Sequence, residues 1–496
     1  MIFGDGEAIA RNQQTPQEVM TVRVLFVMKQ ADYIPLGLMH LSSALKRAGH
    51  EVELVIATHE DPIEVARRFR PGIVGYSIYT GLHRYYLELN KAIKEALGGK
   101  VFSAFGGPHA TFFPEVIEEE GVDGVCIGEG EDALVDLANA LDGGDDYLAI
   151  PNWWFKRDGE IIRNPLRPLV EDLDTLPFPD RELFYAKDSF SRESGLKHFI
   201  SSRGCPYRCS YCYNQAFNAL YRGKGKIVRH RSVDNVIEEL NWVRSRYPLR
   251  FVVFLDDLFI WPLEWVEKFA EKYPREIGLP FFCNVRPNLV TPELVRLLKE
   301  AGCHSVGMGV ETGDEKMRKE ILKRNITDEQ IIESARLIKE AGLRLITTNM
   351  VGLPGGSLEI DFKTLELNIT CRPDYANVFL YQPYPRTELG EYAREHGYLE
   401  GTYDDIGPSA WDHTVIRFAN PREKRLVENF SKLFALAVEW PWLTPVVKWL
   451  IHLPPNPLFR LVYKLWKGYT IKNRIHTYPL SLRELWHSVR HFLKMY

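Results

Sequence analysis

Twice along this chain, short apolar runs alternate with stretches of helical period, and this alternation limits the architecture more than any other feature. In the first series the pattern predicts strands over Val22–Met28, Val52–Ile56, Ile73–Ile78, Val101–Phe105 and Gly124–Ile127. Between and after them it predicts helices over Leu36–Ala48, Pro62–Arg70, Tyr85–Leu97, Pro114–Glu120 and Glu131–Leu141. Such an order implies an α/β unit: a parallel sheet covered on both faces, Rossmann-like or flavodoxin-like, with ligands beyond the carboxyl ends of the strands. The second series places strands at His198–Ser202, Phe251–Leu255, Pro280–Asn284, His304–Val310, Arg344–Val351 and Tyr375–Tyr381. Helices are expected at Val233–Arg246, Trp265–Tyr273, Pro292–Ala301, Asp328–Ala341 and Ser357–Ile369. Six such units fit a partial (β/α)6 barrel whose site lies at the strands' C-terminal ends.

The expected organisation is a loose tail (1–20), a first domain (21–145), an irregular Pro- and Asp-rich linker (146–194), the partial barrel (195–400) and a mostly helical, Pro-punctuated C-terminal domain (401–496). A hydrophobic content of 45% is ample for buried cores and excludes wholesale disorder. The first twenty residues lack an apolar signal core. The apolar stretch Leu433–Ile451 is broken by Glu439, Pro441, Pro445 and Lys448, which makes it a poor membrane span. The expected location is the cytoplasm.

Charge is uneven. From Lys424 to Tyr496 there are 12 Lys and Arg against 3 Glu, a net +9, which leaves −13 on the rest of the chain. The body has no basic face to match the tail, so nucleic acid is not an expected partner. Trp440, Trp442, Trp449, Trp466 and Trp486 stand among Lys448, Lys464, Lys467, Lys472, Arg474 and Arg490. Two readings stay open: a helical cap on the barrel, or a peripheral contact with the inner membrane face.

The chemistry concentrates in Ser201-Ser202-Arg203-Gly204-Cys205-Pro206-Tyr207-Arg208-Cys209-Ser210-Tyr211-Cys212-Tyr213-Asn214, directly after the first barrel strand. Three of the seven cysteines fall here, spaced Cys-x3-Cys-x2-Cys. Three thiolates on one tight loop can hold three corners of an iron–sulfur cube and leave the fourth iron open. The alternative is a zinc site completed by His198 or His230, although structural zinc sites usually pair two Cys-x2–4-Cys elements. Cys126, Cys283, Cys303 and Cys371 are widely spaced and read as small buried thiols. That spacing argues against the methylthiotransferases, which carry a second cluster.

At the cysteine loop the chain resembles the radical S-adenosylmethionine (SAM) enzymes. The resemblance implies that Cys205, Cys209 and Cys212 bind a 4Fe-4S cluster whose open iron takes the amino and carboxylate groups of SAM. It also implies an adenine contact for Tyr211, and SAM contacts for Asp256 and Asp257, which stand where the family often has Gly-Gly-Glu. Arg286 is expected at the SAM carboxylate, Glu311 at its ribose or amino group, and Gly352, in Gly352-Leu353-Pro354-Gly355-Gly356, at the cofactor. Tyr381 and Tyr384 follow the sixth strand, where either can face substrate.

Glycine-bearing turns also follow successive strands of the first series: Ile34-Pro35-Leu36-Gly37, Gly75-Tyr76-Ser77-Ile78-Tyr79-Thr80, Gly106-Gly107-Pro108-His109-Ala110-Thr111 and Gly128-Glu129-Gly130. Upstream of the cysteine loop, this set resembles the cobalamin-binding domain of B12-dependent radical SAM enzymes. The resemblance implies cobalamin contacts at Pro35, Leu36, Gly37, Ser77, Thr80, Gly106, Gly107, His109, Thr111, Gly128, Glu129 and Gly130. The Asp-x-His-x-x-Gly hexapeptide that ligates cobalt in better-known B12 domains is absent. Cobalamin is therefore expected with its base displaced and no histidine on cobalt, and His109 at the nucleotide tail.

The resemblance implies a methyltransferase acting on an unactivated carbon through a 5′-deoxyadenosyl radical and methylcobalamin. Oxidation, cyclisation or rearrangement is the alternative on the same scaffold, and a non-catalytic sensor a more distant one. A small-molecule or lipid-like substrate and a reductant such as flavodoxin or ferredoxin are the implied partners.

Overall fold

A computed structural model of the chain describes residues 21–407 and 409–480, together with 484 and 486. The expected tail 1–20 and Arg490 lie outside the described residues. The first sheet has seven strands, in spatial order Glu51–Ile56, Arg23–Met28, Ile73–Ser77, Phe102–Gly106, Gly124–Cys126, Trp153–Arg157 and Glu160–Arg163. The first five run parallel, and the order reverses between Arg23–Met28 and Ile73–Ser77. Crevices form at such a reversal because the crossovers on either side leave to opposite faces.

The last two strands are antiparallel and come from the segment expected to be irregular. Trp153 and Phe155 point into the core, and the turn residues Asp158 (φ 52°) and Gly159 (φ 83°) both take the left-handed conformation. Asp-Gly between alternating apolar positions is a strong hairpin signal, and the Pro- and Asp-rich context obscured it. The expected helix Pro114–Glu120 is also revised. A six-residue helix, Gly107–Phe112, comes first, and Pro114–Glu118 is a 3-10 turn. Phe113 precedes proline, which disfavours continued α geometry and breaks the segment there.

The second sheet contains six parallel strands in chain order: Leu196–Phe199, Phe251–Phe254, Phe281–Val285, Cys303–Glu311, Arg344–Val351 and Tyr375–Leu380. It is an open half-barrel. Its helices begin at side-chain caps such as Ser232, Thr291, Thr327 and Ser357, each accepting from a first-turn backbone N–H.

The connecting segment packs on both neighbours. Asp180 accepts from Ser42 Oγ (2.7 Å) and Lys46 Nζ (2.6 Å) of the first domain. Arg181, fully buried, donates to Glu239 (2.8 Å) and to the His198 carbonyl (2.8 Å) of the barrel. Beyond the last strand, the helix Pro421–Glu439 covers the sheet with Val427, Phe430 and Phe434 against Val378 and Leu380. The cap reading of the tail thus describes this helix. Among the described residues no helix is long and apolar enough to cross a membrane.

Candidate functional site

The carboxyl ends of the two sheets face a shared cavity of about 440 Å³. Gly37, Ser77, Gly106, Gly107, Gly128, Glu129 and Gly130 line it from the first sheet, and Asp256 and Asp257 from the half-barrel. Arg203, Gly204 and Asn214, which bracket the cysteine loop, complete the barrel side. At Gly37 an added Cβ would meet nothing within 4 Å, and at Gly106 only ordinary contacts. Missing side chains at these turns keep the cavity open, which suits a large flat ligand laid against the sheet edge. Pro35, Leu36, Thr80, His109 and Thr111 lie outside this lining, as do the three cysteines, Tyr211, Arg286, Glu311 and Gly352.

The cysteine loop is held from several sides. Gly204 (φ 88°) turns the chain into it, and a Cβ there would lie 2.2 Å from the Ile227 carbonyl oxygen. Asn218 Nδ2 donates to the Cys205 carbonyl (2.9 Å), and Ser210 donates N–H to Leu322 O (3.0 Å) and Oγ–H to Ile321 O (2.6 Å). Two guanidinium groups approach Cys209 Sγ: Arg286 Nη1 at 3.6 Å and Arg324 Nη1 at 3.9 Å. Asn214 Nδ2 lies 3.7 Å from Cys212 Sγ. Burial pushes the Cys212 thiol up to about 11 and raises Cys205 as well. Donors aimed at the sulfurs favour thiolates once a metal displaces the protons.

Among the described residues no three His, Cys, Asp or Glu side chains converge where one metal ion could sit. A cuboidal cluster asks for less convergence, because each thiolate binds a different corner iron. The other four cysteines are buried, and Cys126 also lines the cavity.

Asp256 does not stand free. Its carboxylate accepts from Ser201 N (3.0 Å), Ser201 Oγ (2.8 Å) and Ser202 Oγ (2.5 Å), which fixes the strand end that launches the loop. Glu311 sits at the end of the fourth strand with φ 70°, a conformation costly for a non-glycine residue. Its carboxyl is raised by burial, an effect countered by Arg324, whose Nη1 lies 4.0 Å away. Arg324 also donates to the Gly309 carbonyl (2.6 Å) and Tyr211 Oη (3.4 Å). Its Nε is buried with no partner, an orphan donor that an anionic ligand group can satisfy. The Arg286 guanidinium lies 3.6 Å from the Tyr207 ring centroid and donates Nε–H to Asn288 Oδ1 (2.8 Å). The Gly352 N–H is taken by the Asp361 carboxylate at 3.2 Å.

On the first-domain side, His109 is stacked between His83 (4.2 Å) and Phe113 (4.9 Å), with Nδ1 2.9 Å from Thr80 Oγ1. Burial, then His83, pushes it down to about 3, so it is neutral. Thr111 Oγ1 accepts from the Gly128 N–H at 3.1 Å.

Arg203, Arg229, Glu131, Tyr213 and Arg324 carried no assignment in the sequence. Glu129 accepts from Arg203 Nη1 (2.9 Å) and Arg229 Nη1 (2.9 Å), and Arg203 Nη2 also reaches Glu131 (2.5 Å). This network joins the two sheets. Tyr213 stacks on Phe112 of the first domain at 4.4 Å and meets Tyr384 at 5.9 Å. Arg203 and Tyr213 flank the cysteines, but only the folded chain shows their partners. Arg324 lies in no motif.

Residues 199–365 match the model for the radical SAM superfamily, and residues 22–138 that for the B12 binding domain. An uncharacterised methyltransferase of Pyrococcus horikoshii is 30% identical over 369 residues, covering 72% of this chain and 78% of that protein. An anaerobic magnesium-protoporphyrin IX monomethyl ester cyclase of Rubrivivax gelatinosus is 26% identical over 375 residues, covering 72% and 65%. The fold is shared with TsrM, a radical S-adenosylmethionine methyltransferase from Kitasatospora setae solved with cobalamin and a 4Fe-4S cluster bound. There the TM-score is 0.65 at 19% identity, over 96% of this chain and 99% of that one. The chain belongs to the radical SAM superfamily, among the proteins that carry a B12-binding domain ahead of the half-barrel.

Proposed function

We propose that this protein methylates an unactivated carbon of a small or lipid-like molecule, using SAM, a 4Fe-4S cluster on Cys205, Cys209 and Cys212, and cobalamin. The observation that carries the reading is the cavity between the facing sheet ends, glycine-lined on one side and bounded on the other by Asp256–Asp257 and by Arg203, Gly204 and Asn214, which flank the cysteines. When bound, the cluster would supply the electron that cleaves SAM to a 5′-deoxyadenosyl radical, and the corrinoid would carry the methyl group.

The chain's own part is placement. Gly37, Ser77, Gly106, Gly107, Gly128 and Gly130 would let the corrinoid lie against the sheet edge, with Pro35, Leu36, Thr80, Thr111 and Glu129 shaping the turns around it. His109 would meet the nucleotide tail. A base-off form without a histidine on cobalt is supported by the enclosure of that ring by His83, Phe113 and Thr80. Glu311 and Arg324 would bind the polar groups of SAM, Tyr211 its adenine, and Arg286 its carboxylate, with Asp257 and Gly352 close by. Asp256 would act by fixing Ser201 and Ser202. The stack Phe112–Tyr213–Tyr384 would help exclude water from the radical. An external reductant such as flavodoxin or ferredoxin would deliver electrons.

The test is anaerobic reconstitution with methyl-labelled SAM, following 5′-deoxyadenosine and label in the product. Label in a new carbon–methyl bond supports methylation. 5′-Deoxyadenosine without label in the product assigns the same scaffold to oxidation or cyclisation, and absence of both rejects the reading.

A further inference from the structure

The cavity has an inner part that lies on the face of the first sheet, away from the cysteine loop. Phe26, Gly75 and Ala104 are register neighbours on three adjacent strands, and all three line the cavity. Gly75 and Ala104 are too small to cover the sheet. At Gly75 a Cβ would lie 2.8 Å from the Phe26 ring, so glycine is needed for the ring to stay there. The row forms the floor of a trough. Leu41 of the helix Leu36–Arg47, Leu134 of the helix Glu131–Gly143 and the Trp153 indole wall it. These walls are apolar, and Trp153 Nε1 is engaged by the Ala133 carbonyl at 2.8 Å.

His40 stands beside Leu41 on the first helix and lines the same cavity. Helical side chains lean back over the preceding turn. One turn back is Gly37, which has no side chain to cover the ring. Among the described residues neither ring nitrogen of His40 has a hydrogen-bond partner, and Nδ1 is fully buried. Burial, then the Arg203 charge, pushes its pKa down to about 4, so the ring is neutral and carries one N–H. Neighbouring polar groups are engaged: Arg203 by Glu129 and Glu131, and Ser202 by Asp256. A buried imidazole without a partner is costly, which points to a ligand that supplies one.

Chemistry selects the part of the ligand. A corrin rim carries amides, which an apolar trough would leave unpaired. The nucleotide tail of a corrinoid ends in a flat aromatic base, and displacement from cobalt frees one ring nitrogen that needs a donor. His109 lies outside the lining with Nδ1 engaged by Thr80, so it is not the partner of the base. We infer that the displaced base of the corrinoid enters this trough and that His40 donates its N–H to the freed base nitrogen. This rests on the cobalamin reading above and deepens it: His40 is a positioning residue that holds the base away from cobalt.

The test is equilibrium binding of two probes to the corrinoid-free, full-length protein with its cluster reconstituted. The probes are methylcobalamin and methylcobinamide, which lacks the nucleotide base. His40→Leu should weaken methylcobalamin about tenfold and leave methylcobinamide unchanged, which also reports that the variant folds. His40→Gln keeps an N–H donor and should recover most of the loss. With cob(II)alamin bound, the electron paramagnetic resonance spectrum of the wild type should lack axial nitrogen splitting. Equal weakening of both probes by His40→Leu, or weakening of neither, would overturn the assignment. So would a nitrogen splitting in the wild type that His40→Leu removes, which would put His40 on cobalt. A wild type that binds neither probe would reject the cobalamin reading itself.

Discussion

Arg203 and Glu129 meet across the seam between the two sheets, Nη1 to Oε1 at 2.9 Å. Arg203 lies two residues before Cys205, and Glu129 sits in the glycine turn after the last parallel strand of the first domain. The loop that carries the cysteines is therefore fastened to the turn that borders the cavity. Arg203→Met leaves the buried carboxylate of Glu131 without its cation, while Glu129 keeps only Arg229. The expected cost is about 3 kcal/mol, read by denaturant unfolding, together with lower iron and corrinoid content after reconstitution.

Glu131 gives the same seam a pH dependence. Burial alone would raise its carboxyl, but the Arg203 charge and hydrogen bond hold it down at about 2, against 4.5 ordinarily. Between those values the unfolded chain binds the proton and the folded chain does not, so stability rises with pH. The contribution is complete above about pH 4.5 and is lost as pH falls toward 2. Glu131→Gln should flatten that part of the stability profile, measured as unfolding midpoints across the acid range. An unchanged slope would show that Glu131 carries no such linkage.

Gly204→Ala tests the entry to the cysteine loop. The residue has φ 88°, and a Cβ would press on the Ile227 backbone. Because backbone cannot yield as a side-chain tip does, the loop must shift, at about 1–3 kcal/mol. The expected signature is reduced cluster loading, seen as iron and sulfide per chain, with the secondary structure retained.

Arg324→Ala removes a cation that touches Tyr211, Gly309 and, at longer range, Glu311. Charge-assisted hydrogen bonds contribute about 1.5–3 kcal/mol, so SAM affinity should fall by about tenfold or more. Equilibrium binding of SAM to the reconstituted protein measures this. Wild-type affinity would show that Arg324 only packs the loop.

Cys205→Ala removes one cluster ligand from a half-buried position. It should abolish reductive SAM cleavage while leaving corrinoid binding in place, since the glycine turns belong to the other domain. Absorbance of the purified variant separates the two cofactors.

Much of this was legible in the sequence. The strand Arg344–Val351 has the bounds that periodicity predicts, and four others differ by one residue at their ends, but the first, expected over His198–Ser202, runs from Leu196 to Phe199 because Ser201 and Ser202 are turned to Asp256. Short continuous apolar runs read well because burial on both faces of a parallel sheet demands them. The hairpin Trp153–Arg163 was harder, because its turn is local but the edge it joins is distant in the chain. Gly352 shows the opposite limit. The turn after the fifth barrel strand is visible in the sequence, but that its Gly352 N–H is held by Asp361, nine residues on, is not.

What the sequence determined by itself was the class of chemistry: three cysteines on one loop, glycines after successive strands, and the order of the two series. These are local properties, carried by spacing and by backbone freedom. The tertiary structure decided which groups share the cavity, that Arg203 joins Glu129 to Glu131, that Arg324 reaches Tyr211 across 113 positions, and which face of the C-terminal helices is left to the outside. Side-chain pairing and exposure depend on distances between segments far apart in the chain, and only the packing of the two sheets fixes those distances.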